Sequence, residues 1–277
     1  FGADRVFDTS LSEEGIIGSA VGLALAGLMP VAEIQFRKYA DPAMEQLNNC
    51  GTIRWRSNNR FAAPIVVRIP CGVSKCGDPW HSVSNEVLWT HAVGWRVVYP
   101  SNAEDAVGLL RTALRGNDPT IFLEQRFLLD DVSARRPYPG DDFALPLGKA
   151  CIRREGSAAT VVCWGLMVSR CEQAAQRCGL PVEIIDLRTL SPWDKTTVVE
   201  SVMKTRRCLI VHEDTLTAGF GAEVAAVVAQ QALLSLDAPI ERLAPLDIPL
   251  PHDLGLLDAA LPSVESIATA MVDLVGF

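Results

Sequence analysis

The 277-residue sequence has no excess of basic residues and no apolar run long enough to cross a membrane. It contains 25 Lys and Arg against 33 Asp and Glu, which gives a formal net charge of −8. This sign argues against a nucleic-acid backbone or an anionic membrane as the main partner. The longest apolar run, residues 15–28, is shorter than a span of about 20 residues and instead predicts a buried helix.

The sequence also lacks the short motifs of several enzyme and metal-binding classes. It contains no nucleophile elbow, Walker loop, paired zinc motif or EF-hand. Cys71 and Cys76 lie close together in a glycine-containing loop, but without a second Cys or His pair they are a weak zinc signal. Four further cysteines lie in segments typical of buried strands or helices: Cys163, Cys171, Cys178 and Cys208. This distribution favours structural thiols and a reduced, intracellular protein.

Apolar residues are abundant. They make up 49% of the chain, whereas charged residues make up 21%, and this composition excludes a disordered chain. There is enough apolar material for a large core and a buried interface between subunits, so we expect an oligomer. The length predicts two domains of roughly 150 residues each.

Short apolar runs typical of parallel strands alternate with helical segments, which predicts an α/β fold of two domains with mainly parallel sheets. The predicted strands cover residues 31–35, 65–69, 96–99, 121–124, 160–164, 182–186 and 208–212, and Val6-Phe7 also reads as strand-like. The predicted helices cover residues 15–27, 42–49, 103–115, 169–178, 221–234 and 263–275. Proline, glycine and charged residues are concentrated in 131–148, which predicts a domain boundary near residue 140.

Two loops carry side chains suited to acid–base chemistry. Glu13 lies at a strand-to-helix turn beside the apolar helix, where a carboxylate can have a perturbed pKa. From the residues alone we favour helix capping as the explanation of this segment, with Ser12 as the cap and the acids stabilised by the helix dipole. His81 follows the predicted strand 65–69, at the edge where α/β sheets bind ligands. A histidine there can transfer protons near neutral pH or serve as a surface residue.

A third candidate, Gly219-Phe220-Gly221, follows a predicted strand and opens a helix, as in a dinucleotide-binding fingerprint. The third glycine of that fingerprint is replaced by Val224. We therefore favour a tight turn with close helix packing over nucleotide binding.

Several motifs in order along the chain resemble the β subunit of 2-oxo acid dehydrogenases, the thiamine-diphosphate-dependent decarboxylating component within the transketolase-like superfamily. These motifs are RVFDTSLSEEG (5–15), AEIQF (32–36), RWRS (54–57), WHS (80–82), VYPS (98–101), IDLRTLSPWD (185–194), HE (212–213) and GFG (219–221). The resemblance implies a transketolase-like pyrimidine-binding domain over residues 1–135, lacking its first elements. It further implies a linker over 136–149 and a transketolase C-terminal-type domain over 150–277.

The same resemblance implies roles for five residues, two of them catalytic. Glu13 would hydrogen-bond the aminopyrimidine ring of the cofactor and favour the imino tautomer, which takes the proton from the thiazolium carbon. Gln35 and Tyr39 would line the pocket of this ring, and Leu11 would form an apolar wall beside it. His81 would lie near the reacting carbon, where it could move protons or guide acyl transfer to a lipoyl group.

The diphosphate-and-magnesium motif of the superfamily, which begins Gly-Asp-Gly and ends in Asn, has no counterpart in this sequence. The resemblance therefore implies an α-type partner that holds magnesium and the diphosphate, and no metal ligands in this chain. It also implies a second copy of this chain and a lipoyl-bearing acyltransferase core as partners. We expect a cytoplasmic protein in a bacterium or a mitochondrial-matrix protein in a eukaryote. Because the sequence does not begin with Met, we also expect residues upstream of Phe1.

The predicted function is oxidative decarboxylation of a 2-oxo acid with transfer of the acyl group to a lipoyl group. One alternative is a ketol-transferring, transketolase-like half-enzyme, which would need basic residues for a sugar phosphate. A second alternative is a non-catalytic assembly scaffold, which Val73, Ser74 and Val83 favour because they depart from the family pattern around His81. Glu13, Gln35, Tyr39 and His81 argue against a scaffold, since a scaffold does not need this set.

Overall fold

The computed structural model describes residues 1–74 and 79–277, which form two α/β halves with a shared boundary. In chain order the first half contains α1 (Glu13–Leu25), β1 (Val31–Glu33), a 3₁₀ helix (Arg37–Ala43), α2 (Met44–Arg56), β2 (Val66–Cys71), α3 (Glu86–Thr90), β3 (Arg96–Val98), α4 (Ala103–Arg115) and β4 (Thr120–Gln125). The second half contains β5 (Cys151–Arg154), β6 (Thr160–Cys163), α5 (Leu166–Cys178), β7 (Glu183–Asp186), β8 (Thr189–Ser191), α6 (Lys195–Thr205), β9 (Cys208–Val211), α7 (Phe220–Ala232), β10 (Glu241–Leu243), α8 (Leu254–Ala259) and α9 (Val264–Gly276).

Each half is built around a five-stranded sheet of mostly parallel strands, which confirms the predicted fold class. The strand order is β1-β2-β4-β3-β8 in the first sheet and β10-β9-β6-β7-β5 in the second. The edge strands β8 and β5 each run antiparallel to their neighbour. Since β8 follows β7 in sequence but pairs with β3, the second half of the chain completes the first sheet.

The predicted helices and long strands form, with bounds that shift by a few residues. α4 coincides with its prediction because the Asn102 side chain caps it, accepting a hydrogen bond from the Asp105 amide at 3.0 Å. The strand reading of Val6-Phe7 is wrong, because both side chains are exposed and the backbone there is irregular. The sequence analysis missed α3, α6, α8 and the short strands β5, β8 and β10.

The apolar stretch Leu254–Gly276 is long and apolar enough to cross a membrane by length and composition alone, which the sequence analysis also missed. In the structure it is divided into α8 and α9, and Ser263 caps the second helix through a capping box. α9 packs against α5 and buries Ile267, Met271 and Leu274. The stretch therefore contributes to the core of the second half.

The boundary between the halves combines a continuous apolar core with buried polar contacts. Trp164 of the second half lies in the same buried cluster as Tyr99 of the first. The Trp164 Nε1–H donates to the buried Glu86 carboxyl at 2.8 Å, and the Ser101 hydroxyl donates to buried Asp186 at 2.5 Å. Directional bonds between buried groups thus fix how the two halves meet.

Three carboxyl groups at this boundary have raised pKa values because burial penalises their charged form. Burial raises the pKa of Asp186 to about 7 and that of Glu213 to about 7. Burial and the neighbouring Asp214 raise the pKa of Glu86 above its ordinary value. Each group therefore holds a proton in the folded chain at a pH where it would be ionised in the unfolded chain.

We expect the free energy of unfolding to fall as pH rises from about 6.5 to 8, because the folded state binds more protons than the unfolded state in this window. Each carboxyl group with a raised pKa contributes stability that is fully present below the pKa it has in the unfolded chain. That stability is lost as pH rises through the pKa it has in the folded chain. In the folded chain buried His212, whose pKa is lowered to about 4, stays neutral in this window. In the unfolded chain it binds part of a proton near pH 6.5, which makes the slope shallower at the lower end without reversing it. Denaturant unfolding at several pH values measures the slope.

Glu86→Gln should flatten this slope, by at most about 1.4 kcal/mol per pH unit, because the amide accepts the Trp164 bond without titrating. Glu183→Gln is the matched control, since hydrogen bonds from Lys204 and Ser201 lower the pKa of this buried carboxyl despite desolvation. If Glu86→Gln leaves the slope unchanged, Glu86 is not one of the groups that cause the pH dependence of stability.

Candidate active site

The predicted site residues lie at the carboxyl edge of the first sheet, where parallel α/β sheets bind ligands. Gln35 follows the end of β1, and the segment after β2 leads to His81. Because α1 precedes β1 through a short turn, the start of α1, and with it Glu13, also lies at this edge. The topology thus assembles segments that are far apart in sequence along one border of the sheet.

At the start of α1 the structure assigns the cap to Ser12. Its side chain accepts a hydrogen bond from the Gly15 amide at 3.3 Å. Glu14 accepts a bond from Gln46 Nε2 at 3.4 Å, whereas the Glu13 carboxylate makes no hydrogen bond or ion pair within residues 1–74 and 79–277. Capping therefore accounts for Ser12 and leaves Glu13, at the first helical position, with its acceptor oxygens available.

Two of the predicted pocket residues, Leu11 and Gln35, are open to solvent. Leu11 is 85% exposed, and Gln35 lies on an exposed bend after β1. The 3₁₀ helix Arg37–Ala43 that carries Tyr39 packs against α1. Leu11 and Gln35 are therefore accessible to a ligand or to a second chain.

Tyr39 and His81 meet directly, although they are 42 positions apart in sequence. The Tyr39 hydroxyl lies 3.1 Å from His81 Nε2. The Phe36 ring packs edge-on against the His81 ring, with 4.6 Å between centroids. This contact fixes the orientation of the imidazole at the edge of the sheet.

Arg126 is a fourth member of this cluster, and the sequence analysis missed it. Its guanidinium lies over the Phe36 ring at 4.7 Å, and its Nη1 donates to the His81 carbonyl at 3.3 Å. The signal was present in the sequence, because Arg126 lies two positions after the predicted strand 121–124, at the edge where ligands bind.

The second half of the chain reaches this edge through Glu213, just after β9. The buried Glu213 carboxyl accepts a hydrogen bond from the Val73 amide at 2.7 Å and two from Gln125 Nε2 at 3.1 Å. Gly72 lies between these groups, with φ of +74°, and a Cβ there would lie 2.8 Å from both Gln125 Nε2 and Glu213 Oε1. A larger residue here would be strained by the positive φ and would displace one of these two side chains.

The two remaining candidates from the sequence are the Gly219-Phe220-Gly221 segment and the weak zinc signal at Cys71 and Cys76. The Gly219-Phe220-Gly221 segment opens α7 against buried His212, and a Cβ on Gly221 would lie 2.6 Å from the His212 ring. This is the close packing that the sequence analysis favours over a nucleotide site. The described residues contain no group of three side chains able to hold a metal ion. Cys76, the partner of Cys71 in the weak zinc signal, lies outside the described residues.

Comparison with known families matches both halves of the chain. Residues 1–131 match the transketolase pyrimidine-binding domain, and residues 148–267 match the transketolase C-terminal domain. A solved structure described as a split-gene transketolase, an inactive β4 tetramer, superposes with a TM-score of 0.79 at 20% identity. That superposition covers 99% of this chain and 84% of the other, and it shows a common fold.

Comparison with curated protein sequences points to a narrower family than the fold does. The 2-oxoisovalerate dehydrogenase subunit β of Pseudomonas aeruginosa is 45% identical over 91% of this chain and 76% of its own length. The protein of the same name from Bacillus subtilis is 39% identical over 100% of this chain and 86% of its own length. A mitochondrial relative from Arabidopsis thaliana is 43% identical over 91% of this chain and 71% of its own length.

Fold and sequence together define an enzyme subunit of the transketolase-like class. The chain belongs to the family of 2-oxo acid dehydrogenase β subunits, which confirms the predicted family and enzyme class. This membership also supports the predicted dependence on thiamine diphosphate. The roles of Leu11, Glu13, Gln35, Tyr39 and His81 and the division of the chain at 135 and 150 stay predictions.

Gly72→Ala should destabilise the chain by more than about 1 kcal/mol, because it combines a disfavoured positive φ with a clash against Gln125 and Glu213. Gly179→Ala is a matched control: its φ is +70°, but nothing lies within 4 Å of its added Cβ. Thermal or denaturant unfolding compares the two variants. Equal destabilisation would show that the close approach to Glu213 contributes nothing.

Proposed function

We propose that this chain is the pyrimidine-binding half of an oxidative decarboxylase for a branched-chain 2-oxo acid of the 2-oxoisovalerate type. The observation that supports this most strongly is identity of 39–45% over nearly the whole chain to β subunits named for that substrate. The Tyr39–His81 contact at the carboxyl edge of the sheet supports the same proposal, because it provides an oriented proton carrier where the ligand would bind.

In this proposal each residue has a distinct task toward the aminopyrimidine ring. The Glu13 carboxylate would accept a hydrogen bond from the ring and hold that proton in place. Gln35 would offer its amide to the polar groups of the ring, and Leu11 would exclude water from it. When bound, thiamine diphosphate supplies the nucleophilic carbon and the electron sink for loss of carbon dioxide.

His81 takes or gives a proton at the substrate side. Its Nε2 hydrogen-bonds the Tyr39 hydroxyl, and in histidine the bond made by one ring nitrogen determines which nitrogen carries the proton. Phe36 and Arg126 hold the ring and the backbone of His81 in place. A positioned acid–base group of this kind contributes on the order of 100- to 10,000-fold in rate.

The proposal includes an α-type partner that carries the magnesium ion and the diphosphate contacts. The missing Gly-Asp-Gly motif and the exposure of Leu11 and Gln35 support it, because an open half-site needs a second wall. A second copy of this chain and a lipoyl-bearing acyltransferase would complete the assembly. The compartment would be the cytoplasm of a bacterium or the mitochondrial matrix.

Glu13→Gln should lower the turnover of the assembled enzyme by on the order of 100-fold or more, because the amide no longer holds the proton at the ring. The fold should be unchanged, since Ser12 caps α1. Decarboxylation of 2-oxoisovalerate with an artificial electron acceptor measures the effect. Glu14→Gln, one residue further along the same helix, is the control, and near-normal turnover of Glu13→Gln would refute the role of Glu13.

Purification of the chain from its source without denaturant tests whether an α-type subunit associates with it. We expect mass spectrometry of the co-purifying chains to identify a subunit with the Gly-Asp-Gly…Asn motif, and the complex to bind thiamine diphosphate in the presence of magnesium. A chain that purifies alone and binds thiamine diphosphate without a partner would contradict the half-site.

A further inference from the structure

We infer that Glu213 is a positioning residue for His81, acting from the second half of the chain across the boundary; this inference rests on the proposed function of His81. Glu213 lies 140 positions from Val73, the residue whose amide it binds, and it is 5% exposed. None of the motifs that carry the family resemblance assigns it a task beyond its place in the His212-Glu213 pair.

The first route from Glu213 to His81 runs through the segment after β2. Glu213 holds the Val73 amide, at the point where the chain leaves the sheet. The Gly72 amide next to it donates to the Val83 carbonyl at 3.1 Å, which ties the two ends of the His81 segment together. The carboxyl thus fixes one end of the segment that carries the imidazole.

The second route runs through the end of β4. Gln125 Nε2 donates to both Glu213 oxygens and to the Val73 carbonyl, and its Oε1 accepts from the Leu128 amide at 3.1 Å. The next residue, Arg126, donates from its side chain to the His81 carbonyl and from its backbone amide to Cys71 at 3.0 Å. Both routes converge on the His81 segment.

The chemistry of Glu213 fits this task better than it fits a role in packing. Burying a carboxyl group costs free energy, and an apolar side chain of similar volume would hold two halves together more cheaply. The two Glu213 oxygens accept hydrogen bonds from a backbone amide and a side-chain amide that would otherwise be buried without these partners. These hydrogen bonds therefore fix the positions of Val73 and Gln125 relative to Glu213, at the edge of the sheet where His81 lies.

Glu213→Gln tests the inference, because it keeps the volume but replaces one acceptor oxygen with a donor. Asp186→Asn is the matched control: Asp186 is also a buried carboxyl that bonds across the boundary, to Ser101, but it makes no hydrogen bond to residues 72–74 or 79–83, the described part of the His81 segment. Histidine-selective labelling of the full chain, which has four histidines, reports the imidazole of His81 by NMR. His81→Gln identifies its signal.

We expect Glu213→Gln to shift or split the His81 signal, while Asp186→Asn leaves it unchanged. In the assembled enzyme, we expect Glu213→Gln to lower kcat about 10- to 100-fold with little change in KM. An unchanged His81 signal in Glu213→Gln overturns the inference, whatever the activity. A displaced His81 with normal turnover leaves the positioning intact and instead refutes the proposed role of His81.

A charge swap keeps the test decisive if Glu213→Gln folds poorly. Gln125→Glu alone places two carboxyl groups against each other and should displace the His81 signal. Adding Glu213→Gln restores a carboxylate–amide pair, so the double variant should return the His81 signal toward that of the unmodified chain. A double variant displaced as far as Gln125→Glu alone overturns the inference.

Discussion

Burial of polar groups at the boundary between the two halves is the constraint on which the rest of the structure depends. Each buried carboxyl has lost its water and needs a donor from the other half. Glu86 finds one in the Trp164 indole, Asp186 in the Ser101 hydroxyl and Glu213 in the Val73 amide. An apolar core alone tolerates small shifts between its layers, whereas these directional bonds allow one arrangement only.

That arrangement determines the shape of the candidate site. The second half supplies β8 to the first sheet and Glu213 to the loops at its carboxyl edge. The side of the edge formed by Leu11 and Gln35 stays open, while the side formed by Tyr39 and His81 is braced by neighbouring side chains. The edge therefore has one side that is braced by packed rings and hydrogen bonds and one side that is exposed.

Family membership and fold similarity carry different information about this chain. The solved structure with 20% identity shares the two-domain architecture. Because parallel sheets bind ligands at their carboxyl edge, a shared fold indicates where a ligand site lies but not what it binds. Relatives with 39–45% identity share much of the side-chain chemistry as well. One scaffold can host several reactions, so the reaction follows from the residues at the edge.

The sequence by itself determined the α/β class, the long strands and helices, and the segments that meet at the carboxyl edge, because these follow from hydrophobic periodicity and local capping such as that of Asn102. It did not reveal β5, β8 and β10, which are edge strands of three or four residues with too few side chains to show a period. Only the tertiary structure decided that Tyr39 meets His81 and that Glu213 holds Val73. Such contacts depend on how distant segments pack, and no local pattern encodes a bond between residues 140 positions apart.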